Sequence, residues 1–154
     1  MKKLLKKIAA STLCIAMVTA SVGTASAASW RSTKSKTVNK YKLSAKANLP
    51  YWSDSQGGGS WRTEATYSGS KDGNKLTNSW SFYSIGGTVS ASYSGVGASI
   101  TGHGTSTGGS FTAKDSSVKA NGYVYGTGLC FYVGLISTAS FTKGNTYYSI
   151  STKI

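Results

Sequence analysis

Acidic side chains are nearly missing from this sequence. Its 154 residues carry four of them, Asp54, Glu64, Asp72 and Asp115, against 17 lysines and arginines. Proline occurs once, at Pro50, histidine once, at His103, and cysteine twice, at Cys14 and Cys130. These shortages restrict the chemistry. One histidine and four scattered acids leave little for a zinc centre, which needs several His, Cys or carboxylate ligands. Asp54 and Glu64 are the nearest approach to the carboxylate pair of a glycosidase, but Glu64 alternates beside Arg62 and is expected to pair with a base. No G-x-S-x-G elbow occurs. "GHGTSTGG", "GVGASI" and "GTGLCF" all lack the third glycine of a dinucleotide-binding turn. Cys130, between Leu129 and Phe131, reads as a small core hydrophobe rather than a nucleophile, and His103 as an exposed turn residue. No catalytic residue, metal site or cofactor is assigned, and no enzymatic activity is expected.

The first residues are of a different kind. "MKKLLKKIAASTLCIAMVTASVGTASAA" opens with four lysines, continues through an apolar run from Ile8 to Val18 and closes on Ala25-Ser26-Ala27. A basic start, a short apolar middle and small residues at the end describe a secretory signal peptide. Residues 1–27 are therefore expected to be cleaved, leaving 28–154 as a single secreted domain. Cys14 leaves with the leader, so no internal disulfide framework is available. With the four leading lysines set aside, 13 basic side chains face four acids, a net charge of +9. An exported chain so charged is expected to seek anionic surfaces such as wall polymer or lipid headgroups. Nucleic acid ranks below these because of the export route.

What the domain does contain is serine, threonine, 18 of the chain's 19 glycines and a spread of four Trp, ten Tyr and four Phe. Tyr, Thr, Val and Trp favour strands, and period-two alternation recurs. "WRTEATY" puts Trp61, Thr63, Ala65 and Tyr67 on one face and Arg62 and Glu64 on the other. "KLTNSWSFY" does the same with Leu76, Trp80 and Phe82. Asp72-Gly73 between them predicts a hairpin. A one-residue slip at Ser94-Gly95 predicts a β-bulge, and "GHGTSTGG" predicts a turn. "LCFYVGLISTASF" lacks alternation and reads as a strand buried on both faces, and "TYYSISTKI" as the last strand. Helical stripes are lacking after the leader. The fold class expected is all-β, a single-domain antiparallel sandwich or barrel, with 53–60 a Gly/Ser loop.

Residues 31–50 read as a basic first strand or arm. In "KSKTVNKYKLSAKANLP" the lysines Lys34, Lys36, Lys40, Lys42 and Lys46 all fall on even numbers, with Tyr41, Leu43, Ala45, Ala47 and Leu49 on odd ones. As one strand, the segment would carry a row of cations on one face, about 6.6 Å between alternate residues. Such a row either protects a sheet edge from aggregation or meets a phosphate-bearing polymer or anionic membrane. Trp30, Tyr51 and Trp52, in segments without strand pattern, are candidate exposed rings for a glycan. The function expected is charge-driven contact with an anionic bacterial envelope, antimicrobial or adhesive, from outside the cell. Alternatives are a carbohydrate-binding module using exposed aromatics, and a β-pore-forming protein. The last is suggested by the Ser/Thr-rich alternation of Thr88–Gly102 and Ser110–Tyr125.

Overall fold

A computed structural model of the chain describes residues 29–50, 57–70, 75–97, 100–105 and 107–154. The fold is an all-β sandwich of two antiparallel sheets, with no helix among the described residues. In chain order the strands are β1 (Ser32–Val38), β2 (Tyr41–Asn48), β3 (Gly58–Tyr67), β4 (Lys75–Ile85), β5 (Thr88–Gly97), β6 (Ile100–Thr105), β7 (Gly108–Ala113), β8 (Ser117–Thr127), β9 (Tyr132–Lys143) and β10 (Thr146–Lys153). Sheet A has the order β1-β2-β3-β8-β5-β6 and sheet B the order β10-β9-β4-β7.

The alternating segments pack as their sequences imply. Trp61, Thr63, Ala65 and Tyr67 of β3 and Leu76, Asn78 and Trp80 of β4 are all buried. The core lies between the sheets in two clusters. One gathers Val38, Leu43, Ala45, Tyr67, Leu76, Val118 and Phe141. The other gathers Leu49, Trp61, Trp80, Val124, Val133 and Leu135. Asn78 lies fully buried and donates from Nδ2 to Thr63 Oγ1 across the sheets at 3.0 Å. This bond satisfies the amide nitrogen, whose burial would otherwise be costly, while Oδ1 is buried without a partner.

Several local expectations are corrected. β3 and β4 do not form a hairpin: they lie in opposite sheets, because each has one apolar face and the two faces bury against each other. The Asp72-Gly73 turn itself lies outside the described residues. There is no register slip at Gly95, since β5 pairs with β8 in one register on either side of Ser92 and Tyr93. The interruption there has another cause. Ser92 O accepts the Trp61 indole N–H at 3.0 Å, and Gly122 crowds so close that a side chain would strike that carbonyl. "GHGTSTGG" is mostly strand, split between β6 and β7. Of the loop expected at 53–60, Gly58–Ser60 belong to β3, while 53–56 lie outside the described residues. β9 is an inner strand of sheet B, but it begins at Tyr132. Leu129 and Phe131 precede it and are exposed.

The largest correction concerns residues 31–50. They form two strands joined at Asn39-Lys40, where both residues have positive φ (49° and 69°). Two successive left-handed residues make the tight turn whose twist suits a hairpin. The register pairs Lys36 with Leu43 and Lys34 with Ala45. Directly opposed residues share a face, so even-numbered β1 residues lie with odd-numbered β2 residues. The parity that looked like one row of lysines is reversed by the turn.

These strand directions define two ends. One holds the β1–β2, β3–β4, β7–β8 and β9–β10 connections. The other holds the start of β1, the β2–β3, β4–β5 and β8–β9 connections and the C-terminus. Phe141, buried and stacked on Tyr67 at 4.0 Å between ring centroids, closes the core near the first end. Phe141→Ala is expected to cost about 3–5 kcal/mol, read as a lowered midpoint in urea unfolding, whereas Tyr147→Ala at an exposed position should change it little.

Candidate functional site

The five lysines of 34–46 are dispersed. Lys34 and Lys36 lie on the inward-facing side of β1, yet stay exposed because β1 is the sheet edge. Inward-pointing charge on an edge strand opposes pairing with another chain. Lys46 is on the outer face of β2, where its Nζ donates to Glu64 Oε2 at 2.8 Å. Lys40 stands in the turn and Lys42 at the start of β2, both exposed.

The topology brings Lys40 and Lys42 to one end with three lysines that the sequence pattern did not single out. Lys75 begins β4, Lys114 lies between β7 and β8, and Lys143 ends β9. Lys75 pairs with Thr142, and Leu76 with both Ala113 and Phe141, so these three strand ends are neighbours. The β2 start is tied to the exit of β3 by Lys42 N donating to Ser68 Oγ at 2.8 Å and Ser68 N to Lys42 O at 3.1 Å. Tyr67 N donates to Ser116 O at 2.9 Å, linking β3 to the β7–β8 connection. All five lysines are exposed. Asp115 is the one acid at this end among the described residues, and its Oδ1 accepts from Ser116 N at 2.6 Å. A concentration of like charge, with Asp115 the one acid beside it among the described residues, raises the local potential for anions. The available signal was that Lys75, Lys114 and Lys143 each flank turn-forming residues. Which turns share an end was not readable from one chain.

A second feature lies on the outer face of sheet A. Glu64 is held by Lys46, by Ser117 Oγ donating to Oε1 at 2.7 Å, and by Lys119 Nζ at 3.8 Å. Beside it Trp30, half-buried before β1, has the Arg62 guanidinium carbon 4.3 Å and Lys46 Nζ 5.6 Å from its ring centroid. Cation–π attraction of this kind anchors the ring. Trp30, Asn48, Ser60, Arg62, Glu64 and Asn121 border a depression of about 610 Å³. Trp30 is thus less open than its sequence context implied. Tyr51 and Trp52, the other ring candidates, lie outside the described residues, as do Asp54 and the side chain of His103. Cys130 is half-buried against the second core cluster. Of the hairpin arms weighed for pore formation, β5 and β8 pair side by side, but β6 and β7 intervene along the chain. No three His, Cys, Asp or Glu side chains gather among the described residues.

No protein-family model matches this sequence, and no curated protein is similar to it.

Glu64 supplies a pH test. Burial pushes its carboxyl up, but hydrogen bonds from Lys46 and Ser117 and the charges of Lys46 and Lys119 outweigh this and hold it below the ordinary 4.5. A folded-state value below the unfolded one adds stability above pH 4.5, lost as pH falls through the folded value. Glu64→Gln is expected to lower stability by about 1–2 kcal/mol at neutral pH, since both lysines remain within reach of water. Urea unfolding below pH 4.5 should show the gap between parent and variant closing.

Proposed function

We propose that the chain is a secreted, non-enzymatic β-sandwich whose lysine end binds an anionic polymer of the bacterial envelope, one carrying phosphate groups along its length. The observation that carries this reading is the convergence of Lys40, Lys42, Lys75, Lys114 and Lys143 from separate segments onto one end, with Asp115 the sole described acid there. A signal-like leader at 1–27 and the strong excess of cations support the same placement outside the cell. Flexible ammonium groups suit a repeating phosphate, because they act as point charges without demanding a fixed geometry. Antimicrobial action and adhesion both begin with such contact.

Adsorption to isolated bacterial walls should weaken steeply between low and moderate salt, as the screening length falls to about 10 Å near 0.1 M. Replacing Lys40, Lys42, Lys75, Lys114 and Lys143 with Gln should reduce adsorption at low salt at least tenfold. Replacing Lys34 and Lys36 should matter much less. Equal adsorption by the five-lysine variant and the parent would sink this reading.

A second reading, a glycan-binding module, draws on the depression beside Trp30, which sets an aromatic ring next to Asn48, Arg62 and Asn121. Rings with polar neighbours suit sugars, which have apolar faces and hydroxyl edges. On this reading, titration with neutral cell-wall oligosaccharides gives salt-insensitive binding that Trp30→Ala abolishes.

A further inference from the structure

We propose that the end of the sandwich opposite the lysines inserts into a lipid bilayer bearing anionic headgroups. Three large apolar side chains project there: Leu129, Phe131 and Ile85, with 79%, 72% and 61% of their surface exposed. Ile85 ends β4 and the other two lie in the β8–β9 connection, and the backbones there are locked together. Phe131 N donates to Ile85 O at 2.9 Å, and Cys130 N to Gly128 O at 3.0 Å. Gly86 and Gly87, at φ 69° and 54°, lie so close to Leu129 O and Thr127 O that any side chain would collide. The tip is therefore preformed. Cys130 packs towards the core, while its two neighbours are left exposed.

Behind the tip the outer face of sheet B changes character in steps. Ile85 is paired with Tyr132, and Tyr83 with Gly134. The Tyr83 and Tyr132 rings lie 5.8 Å apart, and Tyr83 donates from its hydroxyl to Ile154 O at 2.7 Å. Lys153, paired with Ile136, carries its Nζ 4.4 Å from the Tyr83 ring centroid. Arg31 and Lys153 are both near enough to act on the Tyr132 hydroxyl. Ile136 lies four positions along β9 from Tyr132, so Lys153 is rooted about 13 Å behind the tip at roughly 3.3 Å per residue. Apolar side chains, then tyrosines, then cations follow the order of acyl chains, interface and phosphates in a bilayer. No acid occurs among the described residues of this end. Three side chains on a convex tip fall short of the roughly 1,000 Å² that a stable protein interface buries. A bilayer needs no complementary pocket.

This inference is independent of the lysine end, and its test separates the two. The purified protein is sedimented with vesicles of phosphatidylglycerol and phosphatidylcholine at about 0.5 M salt, where long-range attraction is screened. It should partition onto them, and the double variant Leu129→Ser, Phe131→Ser should lose about tenfold or more of that affinity. The five-lysine variant should retain it. Lys153→Gln should lessen the preference over pure phosphatidylcholine vesicles. In a Phe131→Trp variant, the added fluorescence should be quenched by bromine-labelled acyl chains, a readout that altered stability would not mimic. Failure of the parent to bind vesicles, unchanged partition of the double variant, or absence of quenching would each overturn the proposal. So would a concentration-dependent dimer that disappears in the double variant while vesicle binding persists.

Discussion

The contact on which the rest of this molecule depends is that of Trp61 and Trp80, facing each other across the two sheets with ring centroids 5.5 Å apart. Both indoles are buried. Trp80 also meets Phe111 at 5.1 Å and Tyr93 at 5.5 Å, so one ring gathers β3, β5 and β7 around β4. Trp61 in turn meets Phe82 at 5.2 Å and ties β5 through the Ser92 carbonyl. A domain whose one described cysteine, Cys130, forms no disulfide, and whose core has many small side chains, has to draw its cohesion from a few large rings. Aromatic contacts supply burial and orientation together.

That cohesion has a consequence for the surface. Because β3 and β4 meet face to face, the chain crosses between sheets at both ends of the sandwich. Each crossing leaves a connection that cannot be buried, and the residues placed in these connections differ sharply. At one end the crossings and the hairpin turns beside them carry lysines; at the other the β8–β9 crossing carries Leu129 and Phe131 next to Ile85 at the end of β4, backed by tyrosines. Between the ends, Lys34 and Lys36 stay exposed on the edge strand, while the charges on the outer face of sheet A are taken up locally. Glu64 takes Lys46 and Lys119, and Trp30 takes up Arg62. The described residues are thus polarised along the strands, and both proposals rest on that polarity.

Much of the strand content was legible because period-two alternation is a direct imprint of a half-buried strand. Alternation placed Trp61 and Tyr67 on one face of one strand and Leu76 and Trp80 on one face of the next, and all four are buried. Alternation says nothing about the partner, however. Two alternating segments around Asp72-Gly73 made β3 and β4 look like a hairpin, and the lack of alternation in the apolar stretch at Leu129–Phe131 made it look like interior. In the lysine segment it failed differently: two strands joined by a two-residue turn preserve an even–odd pattern while exchanging faces. Asn39-Lys40 lacks the glycine that usually marks such a turn, so the reversal left no clear trace.

Residue order by itself determined the class of fold, the bias of charge, the scarcity of catalytic groups and the identity of the core rings. These follow from local propensity and from counting. Only the tertiary structure decided which lysines stand together, which one is spent on Glu64, and that three apolar side chains share an exposed tip. The reason is physical. Which face a strand buries is written within a few residues, whereas the grouping of turns at one end depends on strand order, fixed by long-range pairing and by the meeting of faces across the core.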